Sequence, residues 1–155
     1  MIGALRFLFL LALGVWIGQV VFFSFVVAPA LFGVLGAARA GEVTSVLFPR
    51  YYVLGAVVAV LATLAAAGLG RHATAPGWWT AATLALGIGL AATLWAGFVV
   101  HPRAQRLRSA ALAAGTAPGD DAGFQRAHRM AVTLNGVTLL ATVAGLALAC
   151  AGLRE

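Results

Sequence analysis

The chain has 155 residues, of which 63% are hydrophobic and 9% are charged. Soluble domains carry about 25% charged residues, so this composition excludes a water-soluble globule and indicates a membrane protein. All ten basic residues are arginine, and they lie at the ends of apolar runs. This placement favours contact with anionic lipid headgroups over nucleic-acid binding. The single cysteine, Cys150, excludes an intrachain disulfide.

Four apolar runs are long enough to cross a membrane, which takes about 20 residues. They cover residues 7–28, 52–69, 78–100 and 130–151. We therefore predict an all-α, membrane-embedded four-helix bundle that forms a single domain over residues 1–155.

Two unequal loops join these runs on one side. Loop 1, residues 29–51, is apolar enough to predict a short amphipathic helix at the membrane interface. In it, the stretch FPRYY is predicted to open the second helix, with Pro49 in its first turn and both tyrosines at headgroup level. Loop 2, residues 102–129, is predicted to begin as a helical extension and to break at residues 115–121. Asp120 and Asp121 are then placed to cap the last helix.

The arginines predict the orientation. Seven lie on the side of the two long loops, called here the arginine-rich side, and three lie on the side of the termini. The positive-inside rule places the long loops in the cytoplasm and both termini outside. The lack of lysine beside abundant alanine, glycine and arginine favours a bacterial source, and hence the bacterial inner membrane.

Two stretches carry a family resemblance. They are WIGQVVFFSFVVAPALFGVLGAARAGEVTSVLFPRYYVLG, Trp16 to Gly55, and FQRAHRMAVTLN, Phe124 to Asn135. Their order resembles the four-helix membrane family of unknown function that includes transmembrane protein 205. The resemblance implies a single four-helix membrane domain and brings no established reaction.

Polar side chains recur on one face of the predicted fourth helix and on one face of the first. Spacings of three and four residues put them on common faces, and polar residues in spans tend to face the bundle interior. The alternatives are a structural hydrogen bond between Gln19 and Asn135, worth about 1 kcal/mol, and a ligand pocket open to the arginine-rich side. The predicted ligand-binding residues are His128, Asn135, Gln19, Trp16, Gln125, Arg103 and Arg106.

The stretch FVVHPRAQRLR closes the third run and raises a second alternative. His101 there and His128 before the fourth run belong to the same membrane side, as a bis-His haem b or metal site requires. The plainer interpretation is a membrane anchor, in which His101 is interfacial and the following arginines reach headgroups.

No enzyme motif or carboxylate pair occurs within a span, so we expect a non-enzymatic protein without a cofactor. It would bind or transport a small ligand, contribute to metal tolerance, or support a partner. The alternative function is a haem- or metal-binding redox protein that uses His101 and His128. A third is an assembly subunit without a ligand. The expected partners are anionic lipid and a second copy or another membrane protein.

Small residues at four-residue spacing are Gly14 with Gly18, Gly55 with Ala59 and Gly87 with Ala91. They predict close helix packing, either within the bundle, which we favour, or between protomers.

Overall fold

The computed structural model describes residues 2–154, and most of them are helical. The α-helices are α1 (Ile2–Phe22), α2 (Ala28–Gly70), α3 (Pro76–Trp95), α4 (His101–Ala113) and α5 (Ala122–Gly152). π-Helical turns at Phe23–Val27 and Ala96–Val100 join α1 to α2 and α3 to α4. A 3₁₀ turn, Pro118–Asp120, precedes α5. Residues 2–154 contain no β-strand, so the all-α prediction is confirmed.

Three continuous helical segments of the described chain are long and apolar enough to cross a membrane, namely Ile2–Gly70, Pro76–Ala113 and Ala122–Gly152. Their outward surfaces are rich in large apolar side chains. Leu140 is 73% exposed and Phe7 is 67% exposed. A water-soluble monomer rarely exposes apolar surface on this scale. Length, composition and exposed surface together make this a membrane protein.

The first of these segments reverses direction at Gly36. Gly36 has φ 71° and ψ 167° inside an otherwise helical stretch, a conformation that glycine adopts without steric cost. The arms before and after it pack side by side. Phe23 lies 5.0 Å from Phe48, ring centroid to centroid, and the amide of Gln19 lies against Gly55. As the residue number rises in one arm it falls in the other, so the arms are antiparallel.

The predicted interfacial helix in loop 1 is wrong. Its residues after Gly36 belong to α2, which runs on without a break to Gly70. Pro49 therefore lies inside α2 and does not open a helix. A proline has no N–H for the carbonyl four residues earlier, which here belongs to Ser45. The side-chain amide of Gln105 donates to that carbonyl at 3.2 Å, so the helix continues with the carbonyl satisfied.

The segment formed by α3 and α4 packs between α2 and α5, and glycines bring the backbones close together. A Cβ at Gly97 would lie 2.7 Å from the Cβ of Tyr52, and one at Gly145 would lie 2.6 Å from a methyl carbon of Leu86. Both distances are shorter than real contacts allow, so a larger residue at either crossing would require a neighbouring side chain to move.

The small residues of α1 behave differently. Gly14 and Gly18 are exposed, and a Cβ at either would meet nothing within 4 Å. Packing within the bundle therefore holds for Gly55 and Ala59, which are buried, and does not hold for Gly14 and Gly18. For Gly14 and Gly18 the alternative of packing between protomers stays a prediction.

Loop 2 follows the prediction. The helical extension α4 ends at Ala113, and Gly115 turns the chain with φ 71°. The side chain of Asp121 accepts a hydrogen bond from the backbone N–H of Phe124 at 2.6 Å. This is the geometry of a helix N-cap, so the capping role is confirmed for Asp121.

Candidate polar site inside the helix bundle

Asn135 on α5 joins three parts of the chain through its side-chain amide. Its Oδ1 accepts a hydrogen bond from the hydroxyl of Tyr51 on α2 at 2.7 Å. Its Nδ2 donates to the hydroxyl oxygen of Ser24, in the first π turn, also at 2.7 Å. We call these three residues the Asn135 network. It ties both arms of the first segment to α5 and fixes the orientation of the amide.

Deeper along α1, two buried polar atoms have no hydrogen-bond partner in the structure. They are the indole Nε1 of Trp16, whose side chain is fully buried, and the amide Oε1 of Gln19. The first is a donor and the second an acceptor. The residues are three positions apart, about 4.5 Å along the helix axis, so the donor and the acceptor belong to one face of α1.

Two threonines complete the polar groups at this depth. Thr93 and Thr138 are buried, and their hydroxyl oxygens lie 3.3 Å apart. The methyl group of Thr93 and the amide of Gln19 both lie against Gly55, while the indole of Trp16 covers Gly89. We call Trp16, Gln19, Thr93 and Thr138 the central cluster.

The structure separates the residues that the sequence grouped into one pocket. Asn135 points into the bundle, but its amide is bonded to Tyr51 and Ser24 and forms no hydrogen bond with Gln19. Gln125 is exposed, and its amide donates to the carbonyl of Gly119 in loop 2. The ligand-binding roles of Gln125, Gln19 and Asn135 stay predictions.

His128, Arg103 and Arg106 are also exposed. Arg103 and Arg106 lie on α4, on the arginine-rich side of both polar groups. They therefore lie at the surface, and their predicted reach over the pocket stays a prediction.

The two histidines proposed as metal or haem ligands sit in different surroundings. The ring of His101 packs against the rings of both Phe48 and Tyr52, with centroids 5.5 and 5.6 Å away. The ring of exposed His128 stacks on Phe124 at 6.2 Å. Within residues 2–154, no three His, Cys, Asp or Glu side chains are grouped to hold a metal ion. A two-histidine site stays a prediction, which a Soret band in the spectrum of the purified protein would support.

The tyrosines of FPRYY face the interior of the bundle, and their predicted position at headgroup level stays a prediction. Tyr52 is 7% exposed, and Tyr51 is partly buried in the Asn135 network. Trp79 is 3% exposed and packs edge-on against Phe9. These aromatic side chains belong to the core because they fill space between helices, which composition alone does not reveal.

The two π turns occupy equivalent places and have matching sequences. FVVAP, residues 25–29, begins two residues after the start of the first turn. FVVHP, residues 98–102, begins two residues after the start of the second. In each turn an N–H bonds to the carbonyl five residues earlier, Ala28 to Phe23 and His101 to Ala96. π turns occur often at functional sites. The repeated FVVxP is the sequence signal for this pair of turns, which we did not predict.

Comparison with protein families agrees with a membrane protein of this kind. The sequence profile described as a domain of unknown function (DUF4149) matches residues 11–113, about two thirds of the chain. The chain belongs to the DUF4149 family. The family region includes Trp16, Gln19, Ser24, Tyr51 and Thr93, while α5, with its contributions to both polar groups, lies beyond it. No curated protein and no solved structure matches the chain.

Proposed function

We propose that this protein is a non-enzymatic, transmembrane-protein-205-like bundle that binds a small, uncharged polar molecule between its helices and passes it across the membrane. The protein would cross the membrane four times, once with each arm of the first segment and once with each of the other two segments. Each arm has at least 34 residues. That corresponds to about 50 Å of helix, more than the roughly 30 Å of a bilayer core.

The observation that carries the proposal is the pair of unpartnered atoms on Trp16 and Gln19. A buried polar group without a partner costs about 1–3 kcal/mol, and lipid offers no replacement partner. A molecule that accepts from the indole N–H and donates to the amide oxygen satisfies both groups at once. Water, urea, small amides and alcohols have this combination of donor and acceptor.

The polar groups around the site favour an uncharged ligand. The central cluster and the Asn135 network consist of indole, amide, hydroxyl and phenol groups. None of these carries the full charge that would offset the cost of moving an ion into a bundle core. An uncharged ligand would lose less hydration free energy on entry than an ion would.

Access is proposed from the arginine-rich side. The Asn135 network lies between the central cluster and that side, and Ser24 belongs to a π turn that Pro29 follows. A proline removes a helix hydrogen bond, so the backbone beside Ser24 has fewer bonds to break when the helices part. The second π turn, followed by Pro102, offers the same freedom in the third run.

Solute flux tests the proposal. Purified protein in liposomes is mixed rapidly with urea, acetamide or glycerol, and the recovery of vesicle volume is followed by light scattering. We expect faster recovery than in protein-free liposomes for at least one solute. Trp16→Phe and Gln19→Leu remove the donor or the acceptor at similar size and should slow it. Thr133→Val, at an exposed position of α5, is the matched control. Recovery equal to that of protein-free liposomes for water and all three solutes would refute the proposal.

We also propose that the arginine-rich side faces the cytoplasm of a bacterial cell, because seven of the ten arginines lie there. Ala117→Cys, placed in loop 2 of a Cys150→Ala background, should resist an impermeant maleimide in intact cells and react in inverted vesicles. Ala73→Cys, in the turn on the opposite side, should behave in the reverse way. The reverse result at both positions would invert the orientation.

A further inference from the structure

A shallow groove, open along most of its length and lined by α2 alone, lies on the outer face of this helix, away from both polar groups. It has a volume of about 480 Å³ and is lined by Pro49, Arg50, Val53, Leu54 and Val57. The three aliphatic side chains are all about half exposed, Val53 at 56%, Leu54 at 48% and Val57 at 52%.

The groove faces away from the bundle because of helix periodicity. Residues on the opposite face of α2, among them Tyr52, Gly55, Val58 and Ala59, are buried against the other helices. The groove residues lie between them in sequence and on the other side of the helix. In a membrane, a lipid molecule is the neighbour of this face.

The two ends of the groove differ in polarity. Arg50 lies at the end nearer the arginine-rich side, and its Nη1 donates to the carbonyl of Val46 at 3.0 Å. The guanidinium is thereby held back along the helix, away from the apolar floor. Guanidinium has five N–H donors, so several are left for an anionic partner. From Arg50 to Val57 the floor extends about 10 Å along the axis.

We propose that this groove binds one anionic phospholipid, with its phosphate on Arg50 and part of an acyl chain along Val53, Leu54 and Val57. Arginine pairs with phosphate through two parallel hydrogen bonds. The apolar floor begins next to the guanidinium, as a lipid's chain begins next to its phosphate. The other exposed arginine of α2, Arg39, does not line the groove. The chain's net charge of +6 attracts anionic lipid in general, whereas the groove would hold one lipid molecule at a defined position beside Arg50.

Native mass spectrometry of the full-length protein, released from detergent with added lipid, tests the site. Phosphatidylglycerol should be retained as a single tightly bound copy, and phosphatidylcholine should be retained less. Arg50→Gln should weaken phosphatidylglycerol retention about fivefold, the effect of one basic residue at a lipid surface. Arg39→Gln removes the same charge elsewhere on α2 and should leave the first copy in place. Arg50→Lys should give an intermediate loss.

Two further measurements separate the groove from general charge attraction. Val53→Trp fills the floor and should displace the lipid while Arg50 stays in place. Inorganic phosphate at the same concentration should not raise the melting temperature, whereas phosphatidylglycerol should. Equal losses in Arg50→Gln and Arg39→Gln, or equal retention of both lipids by the unaltered protein, would overturn the proposal. Size-exclusion profiles confirm that each variant is folded.

Discussion

Replacing Asn135 by leucine tests the Asn135 network most directly. The substitution keeps the approximate volume of the side chain and removes both hydrogen bonds, those with Tyr51 and Ser24. It also leaves two hydroxyl groups without their partner. We expect the protein to fold, because leucine is well tolerated in an apolar bundle, but to be less stable.

The size of the effect follows from the two bonds. Hydrogen bonds between membrane helices contribute about 0.6 kcal/mol on average and about 1.7 kcal/mol at most. Both bonds here have donor–acceptor distances of 2.7 Å, within the favourable range. Asn135→Leu should therefore lower the free energy of unfolding by about 1–2 kcal/mol. Tyr51→Phe removes one bond and should cost about half as much.

A double-mutant cycle isolates the bond itself. Unfolding in mixed micelles, followed by the helical circular dichroism signal, gives the free energy for the unaltered protein, Asn135→Leu, Tyr51→Phe and the double variant. Because Asn135→Leu has already removed the bond, adding Tyr51→Phe should cost little more. The coupling energy should be about 0.6 kcal/mol. A coupling energy of zero, with both single variants destabilised, would show that the two side chains do not interact.

Three further changes test the packing and the helix ends. Gly97→Ala places a methyl group against a tyrosine of α2 and should lower the melting temperature. At Gly87 a Cβ meets nothing within 4 Å, so Gly87→Ala should raise the free energy of unfolding by up to about 1 kcal/mol. Equal effects of the two substitutions would contradict the close approach at Gly97. Gln105→Ala removes the donor to the Ser45 carbonyl, which Pro49 leaves without an N–H, and should lower the free energy of unfolding by about 1 kcal/mol. In a Pro49→Ala background the same substitution should cost less. An equal loss in both backgrounds would argue against a compensating role of Gln105. Asp121→Ala removes the N-cap of α5 and should cost about 1 kcal/mol, measured by thermal unfolding; an unchanged midpoint would exclude the capping role.

The position of Pro49 inside α2 could not be predicted from the neighbouring sequence. Proline in the first turn of a helix is common, so FPRYY suggested a helix start. The deciding contact comes from Gln105, which lies 60 residues after Ser45 in the sequence. Because the Ser45 carbonyl accepts a hydrogen bond from another helix, α2 continues through Pro49 without an unsatisfied carbonyl. An interfacial helix would have needed a break at Pro49.

The hydrogen-bond partners of Asn135 likewise could not be predicted from the sequence. Periodicity placed Asn135 on an inward face, and the structure agrees that the side chain points into the bundle. Periodicity on separate helices does not fix how the helices rotate and slide relative to one another. The partners of Asn135 are therefore Tyr51 and Ser24, and Gln19 remains beside Gly55 with its Oε1 unpartnered.

The sequence by itself determined the features that depend on neighbours along the chain. Its composition required a membrane, its apolar runs required long helices, and the two aspartates before Phe124 indicated an N-cap, which the structure assigns to Asp121. Only the tertiary structure decided the helix register, the burial of Trp79 and Tyr52, and the reversal at Gly36. It also decided which residues form the Asn135 network and the central cluster. The physical reason is that apolar runs gain nearly the same free energy from lipid as from one another. Close packing at glycines and a few interhelical hydrogen bonds, rather than hydrophobic burial, therefore select one arrangement among many.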